Sequence, residues 1–190
     1  MDTGGLLLMD ELKELHNLKQ FRKQAYVDFM GEAAIIHPDT LDCLGFFDAP
    51  ASTKYHGAFE GGLFDHSLAV ANALVELTEK LGLQWERPES PYIVGMFHDM
   101  CKCNAYVKTC EGKWTWNNDI IMPGHGEKSV MQLQKLVKLT DEEIICIRWH
   151  MGAFETDTKM WDYYGRAIEK YPNVLYTHTA DMIASRIKGI

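Results

Sequence analysis

Pro91-Tyr-Ile-Val-Gly-Met-Phe-His98-Asp99-Met-Cys-Lys102 is the stretch that decides how this chain folds. Pro91 suits the first turn of a helix, where no backbone N–H is needed. An apolar run follows, and it ends on an imidazole and a carboxylate side by side. Such a pair makes little sense as core, because a buried carboxylate without a partner is costly. It makes good sense as two ligands aimed at one divalent cation. Working outward, the chain offers further donors at wide spacing: His66 upstream, then His125, His150 and Asp181 downstream. Each lies in or beside a segment with helical apolar periodicity.

That periodicity predicts an all-α fold. Residues 6–36 read as one long helix or two short ones, with Leu8, Leu12, Leu15 and Leu18, then Phe21, Ala25 and Phe29, at three- and four-residue steps. Residues 37–62 read as a loop. A second helix runs from Leu63 to near Gly82, with Leu63, His66, Val70 and Leu74 on one face. A third covers Pro91 to about Cys101. Between Asn104 and Asn118 the pattern changes: Tyr106, Val107 and Thr109, then Trp114, Thr115 and Trp116, flank Glu111-Gly-Lys113 and predict a small β-hairpin insertion. Helix resumes after Gly124-His-Gly126, through Leu133 to Val137. Thr140-Asp-Glu-Glu143 is a capping-box start for a helix that continues through His150. Two more cover 160–170 and the stretch after Pro172, where His178 and Asp181 stand one turn apart on a common face. The expected organisation is an N-terminal helical extension, 1–40, followed by one helical-bundle domain, 41–190.

Composition narrows the function. With 190 residues and 46% hydrophobic content, one well-buried domain is expected. A net charge of −8 argues against an extended nucleic-acid groove, which needs a basic face. It leaves room for a small anionic substrate, because bound divalent cations supply local positive charge. No apolar run approaches the roughly 20 residues of a membrane span, and no export signal is visible. Five cysteines, an odd number, fit reduced thiols in the cytoplasm.

The donors are imidazoles and carboxylates, which suit Mn²⁺, Fe²⁺, Zn²⁺ or Ni²⁺ better than Ca²⁺ or Mg²⁺. Taken singly, each histidine reads better as a satisfied core or surface residue; five donors at inward helical positions reverse that judgement. Other features point less sharply. Gly124-His-Gly-Glu-Lys-Ser129 superficially suggests a phosphate loop, but Glu127 stands where glycine is required and no strand leads in. Trp114 and Trp116 share a face that suits base stacking, a core edge or a homodimer contact. Cys101 and Cys103 flank Lys102 without a second close pair, so free thiols are expected.

The order His66, His98-Asp99, Asp181 resembles the HD-domain phosphohydrolase superfamily, all-helical metalloenzymes that mostly cleave phosphoester bonds. The likeness covers roughly residues 41–188. Phe47-Asp-Ala-Pro50, Tyr55-His56 and Gly61-Gly-Leu-Phe-Asp-His66-Ser67 are similar to the lead-in of bacterial 3′–5′ exoribonucleases. His98-Asp-Met-Cys-Lys102, Pro123-Gly-His125 and His178-Thr-Ala-Asp181 resemble later motifs of that branch. The resemblance implies one or two divalent transition-metal ions. His66, His98, Asp99 and Asp181 would hold the first; His125 and His150 would hold a second, bridged by Asp99. It also implies catalytic roles for Asp99 and Lys102, with Lys102 towards substrate. His178 reads first as packing or support for Asp181 and second as a substrate contact, and the loop residue His56 is a further substrate candidate. The expected activity is cleavage of a phosphoester bond in a nucleotide or short oligonucleotide by metal-activated water; the alternative is a catalytically silent nucleotide-binding or regulatory module. Two departures stand out. The exonuclease branch often has adjacent histidines where this chain has Trp149-His150, and residues 1–40 are too short and too helical for that branch's OB fold.

Overall fold

The computed structural model describes residues 3–122, 124–152 and 158–190, with side chains from Lys13 onward other than at 158. The elements in order are α1 (Thr3–Met30), α2 (Pro38–Cys43), α3 (Gly62–Leu81), α4 (Ser90–Phe97), β1 (Tyr106–Lys108), β2 (Trp114–Trp116), α5 (His125–Leu133), α6 (Asp141–Arg148), α7 (Thr158–Lys170) and α8 (Asn173–Met182). Short 3₁₀ turns cover Gly31–Ala33 and Met100–Asn104, and a π-turn, Ile183–Lys188, extends α8. The fold is an all-α bundle with one antiparallel hairpin, in which Tyr106, Val107 and Lys108 face Trp116, Thr115 and Trp114.

The centre of the bundle is the crossing of α3 and α4. Leu63, Phe64, Val70 and Leu74 are buried on α3, and Ile93, Val94, Met96 and Phe97 on α4. Gly95 makes the crossing close: a Cβ there would stand 2.4 Å from the Ala71 Cα. The two backbones therefore touch midway along, and His66 and His98 are carried to the same end. Phe46, Phe47, Phe64 and Phe97 form an aromatic cluster, with Tyr26 of α1 against Phe47 and Phe97 at 6.2 and 6.3 Å. Tyr26 donates its hydroxyl to the Ile36 carbonyl at 2.8 Å, so the last turns of α1 belong to this core. Arg22 ties α1 to α3 through a two-pronged contact with Asp65 at 3.0 and 3.1 Å.

The capping box at Thr140 forms as expected, and its Glu143 does more. Its fully buried carboxylate accepts from Arg87 at 2.7 and 2.8 Å and from the Ser90 hydroxyl at 2.8 Å. One side chain thus fixes the start of α6 to the start of α4. No helix among the described residues is long and apolar enough to cross a membrane.

Several boundaries differ from the periodicity reading. The segment expected as a loop, 37–62, contains α2, which Pro38 opens and the His37 side chain caps at the Asp39 amide. Helix α5 stops at Leu133, short of Val137. Helix α4 stops at Phe97 rather than Cys101, and α6 at Arg148 rather than running through His150. The last two share one cause. Each histidine donates its ring Nδ1–H to the carbonyl three residues back, His98 to Gly95 at 2.8 Å and His150 to Ile147 at 2.7 Å. A side chain takes an end carbonyl, and the helix turns off there.

Candidate metal centre

Five of the six predicted ligands meet at one point. His66 comes from the second turn of α3, His98 and Asp99 from the end of α4, His150 from just past α6, and Asp181 from α8. His66 Nε2 lies 3.3 Å from His98 Nε2 and 3.3 Å from an Asp181 oxygen. His98 Nε2 is 3.4 Å from Asp99 Oδ2, and His150 Nε2 is 3.5 Å from Asp99 Oδ1. His66, His98 and His150 are fully buried, and Asp99 nearly so. The sixth candidate, His125, opens α5 and stands apart from this knot. It groups instead with Asp99 and Cys101, their donor atoms within 4.8 Å of one another.

The tautomers follow from the partners. A backbone carbonyl can only accept, so each Nδ1 facing one carries the proton. His66 Nδ1 faces the Ile190 carbonyl at 2.8 Å, which completes the set begun by His98 and His150. In the neutral form, the one that ligates a metal, all three rings therefore turn a bare Nε2 lone pair inward. Backbone tethering of this kind is how metal-ligating imidazoles are usually held.

Protein atoms alone leave the arrangement unresolved. The Nε2 atoms of His66 and His98 oppose each other lone pair to lone pair, and among the described residues buried Asp99 Oδ1 and His150 Nε2 have no hydrogen-bond partner. A buried polar atom without a partner costs about 1–3 kcal/mol. A cation removes that cost. Two donors at about 2.1 Å from one ion stand about 3.0 Å apart at a right angle and about 3.4 Å apart at the tetrahedral angle. The spacings of 3.3, 3.3, 3.4 and 3.5 Å agree with such donor pairs. The residues present fit a divalent cation.

Their charge states fit as well. Burial opposes ionisation of Asp99 and Asp181, but Lys102 and His98 at the first, and His66, His98 and His150 at the second, hold both carboxyls below the usual range. Burial lowers His98 and His125, which favours the neutral, donor form. His150 rises despite its burial, because Asp99 and Asp181 face it.

A cleft of about 170 Å³ opens onto this cluster, bordered by His56, Asp99, Lys102, His125, Asp181 and Arg186. The Lys102 ammonium sits on Asp99 Oδ2 at 2.5 Å. His56 lies over the His66 ring, centroids 4.7 Å apart, and burial with the neighbouring His66 brings its pKa down to about 4. His178 does not border the cleft; its Nδ1 donates to the His150 carbonyl at 2.8 Å and steadies that turn. A larger cavity, about 720 Å³, lies between α6 and α7 and contains none of the candidate ligands. Gly124-His-Gly126 is shaped by packing: a Cβ on Gly126 would stand 2.1 Å from the Arg148 carbonyl oxygen, so glycine lets α5 approach α6. On the hairpin, Trp114 lies under Lys108 and Trp116 against Tyr106, so both indoles have partners within it.

Two neighbours of the site went unread in the sequence. Cys101, expected only as a free thiol, is free but buried, with its pKa pushed up to about 12 by burial, and its Sγ lies 3.5 Å from His125 Nδ1. Arg186, one helical turn beyond Met182, borders the cleft as well.

Comparison with known proteins agrees with this geometry. The HD domain model matches residues 63–185, a segment that contains all six candidate ligands. The chain belongs to the HD domain family. Within curated proteins, this HD protein is 25% identical over 135 residues to a dihydroneopterin 2′,3′-cyclic phosphate phosphodiesterase of Methanocaldococcus jannaschii, covering 67% of the chain and 51% of that protein. The HD chain thus spans about half the length of the curated relative it matches. No solved structure matches it.

Proposed function

We propose that this HD protein is a metal-dependent phosphohydrolase, cleaving a phosphoester bond in a nucleotide or short oligonucleotide by metal-activated water. One observation carries the reading: three buried imidazoles, each tethered at Nδ1, aim bare Nε2 atoms at two ionised carboxylates. His66, His98, Asp99 and Asp181 would hold one ion; His150 and His125, with the second oxygen of Asp99, would hold another. A divalent cation there supplies Lewis acidity at a phosphoryl oxygen and lowers the pKa of water.

The protein's own groups do the rest. Lys102 balances the Asp99 charge and borders the cleft where a phosphoryl oxygen would enter. His56 lies at the same cleft, beside His66, in position to contact substrate. His178 keeps the His150 turn in place. Burial of the donors excludes bulk water, which strengthens every charge interaction with a bound phosphate. The phosphodiesterase activity named for the archaeal relative favours a diester over a monoester. Free thiols at Cys43, Cys101, Cys103, Cys110 and Cys146 fit a reducing, cytoplasmic setting.

Elemental analysis of protein purified without chelator is expected to find one or two transition-metal ions per chain. Hydrolysis of bis-p-nitrophenyl phosphate with added Mn²⁺, Ni²⁺ or Co²⁺ should exceed that of p-nitrophenyl phosphate and vanish in Asp99→Ala. Bound metal without turnover of either compound, or of mononucleotides and short RNA, would favour the silent-module reading.

A further inference from the structure

We propose that Arg186 is the residue that grips the phosphate group of the substrate. Arg186 borders the same cleft as Asp99, Lys102, His125 and Asp181. Its side chain is solvent-exposed, and no hydrogen bond or ion pair engages its guanidinium among the described residues. The other cation at the cleft is already committed, because the Lys102 ammonium is held on Asp99 at 2.5 Å. A phosphate entering next to two ionised carboxylates therefore meets one uncommitted positive side chain. In a chain of net charge −8, an unpaired arginine at this place is informative. Its planar fork can donate to two phosphate oxygens at once, which an ammonium cannot do in the same way.

The backbone places Arg186 on the cleft side of its helix. Asp181, Met182, Ser185 and Arg186 all border the cleft, and in helical phase they span one face about 140° wide. The π-turn over Ile183–Lys188 continues that face past Asp181. The Ser185 hydroxyl, donating to the Asp181 carbonyl at 2.8 Å, fastens this turn to the ligand-bearing helix. The same turn buries Ala184 in the core, so it is anchored while the Arg186 side chain stays exposed at the cleft.

The inference rests on the phosphohydrolase reading but is tested apart from it. Arg186→Gln and Arg186→Lys are compared with the wild type for metal content, for hydrolysis of bis-p-nitrophenyl phosphate, and for calorimetric binding of inorganic phosphate to the metal-loaded protein. Both variants should fold and carry the wild-type metal content, since Arg186 has no partner among the described residues to lose. Loss of a charge-assisted hydrogen-bond pair predicts that Arg186→Gln raises KM and the phosphate Kd together, by about 10- to 100-fold. The effect on kcat should be smaller, and Arg186→Lys should recover part of the loss. Arg186→Gln with KM and phosphate Kd within twofold of wild type overturns the role of Arg186 and leaves the enzyme reading intact. A wild type that binds phosphate through Arg186 but hydrolyses nothing supports the inference and overturns the enzyme reading. A metal-loaded wild type with no phosphate binding overturns the inference.

Discussion

Removing Lys102 should make this protein bind metal more tightly, while weakening its fold and its catalysis. The ammonium lies 2.5 Å from Asp99 Oδ2, with side-chain exposures of 11% for Lys102 and 4% for Asp99. In the metal-free protein the two are each other's counter-charge. Lys102→Met keeps most of the side-chain volume and leaves the carboxylate buried without its cation. Breaking a buried pair from one side costs about 3–5 kcal/mol. The lower end applies here, because a buried carboxylate left without its cation can take up a proton instead of staying charged. For a domain of this size, 1 kcal/mol moves Tm by about 2–4 °C. A loss near 3 kcal/mol therefore lowers the metal-free Tm by about 6–12 °C.

A divalent cation at Asp99 replaces the missing charge, so the metal-loaded variant should recover at least half of that loss. By linkage, its metal Kd should fall at least tenfold, each tenfold step being about 1.4 kcal/mol. Turnover should fall at the same time, because the proposed role of Lys102 is to meet the phosphate once a cation at Asp99 releases its ammonium. The assay is differential scanning fluorimetry of chelator-treated and metal-loaded protein, with a competition titration for metal Kd. Equal Tm losses in the two states, or weaker metal binding in the variant, would refute the electrostatic account of the site.

Gly95→Ala places a Cβ 2.4 Å from the Ala71 Cα, and backbone cannot yield cheaply; a loss of about 1–3 kcal/mol is expected, with weaker metal binding as α3 and α4 part, read by urea unfolding and metal titration. Unchanged stability and affinity would show that the crossing does not set the His66–His98 spacing. Glu143→Gln removes the charge that Arg87 and Ser90 engage and should cost about 3 kcal/mol, yet leave metal content per chain unaltered. His178→Ala loosens the turn that carries His150 and should weaken metal binding about 10- to 100-fold, measured by competition with a chromogenic chelator. At Asp42, burial opposes ionisation, but Lys19 and Lys23 hold the carboxyl below its usual value. Its contribution is therefore present above the unfolded-state pKa and lost as pH falls through the folded one. Between pH 5 and pH 3, Asp42→Asn should lose less unfolding free energy than the wild type, by under about 1 kcal/mol for so accessible a pair.

Much of the fold was legible because apolar spacing reports which face is buried. His66 was assigned inward from its phase with Leu63 and Val70, and it is fully buried. The Thr140 capping box and the Trp114–Trp116 strand were visible for similar reasons: their signals are local. What periodicity missed was decided by single hydrogen bonds or single turns. Helix α2 spans six residues, too few to show a period, and only Pro38 marked it. Arg186 was missed because an exposed arginine near a helix end leaves no apolar period to read, and nothing in Ile183–Lys188 announces a π-turn. His178, from its phase with Asp181, reads first as packing or support beside that ligand. That phase says nothing of the His150 carbonyl, which arrives from another helix.

The two misjudged helix ends bear most directly on function. His98 and His150 each follow the last turn of a helix, each donates Nδ1–H to a carbonyl three residues back, and each aims Nε2 forward. The bond that stops the helix is the bond that orients the donor. Because the donors stand at helix C-termini, the partial negative ends of α4 and α6 also converge on the cluster, which favours a cation there. His125 differs. It opens α5, whose N-terminal amides favour an anion. The cleft is thus polarised by its own backbone, negative towards the imidazole–carboxylate knot and positive at His125. A phosphate bridging that boundary meets attraction from both sides once a cation is bound, and repulsion from Asp99 and Asp181 until then. Metal before substrate is the order of binding that this electrostatic layout imposes. Phosphate that binds the chelated protein as tightly as the loaded one would contradict it.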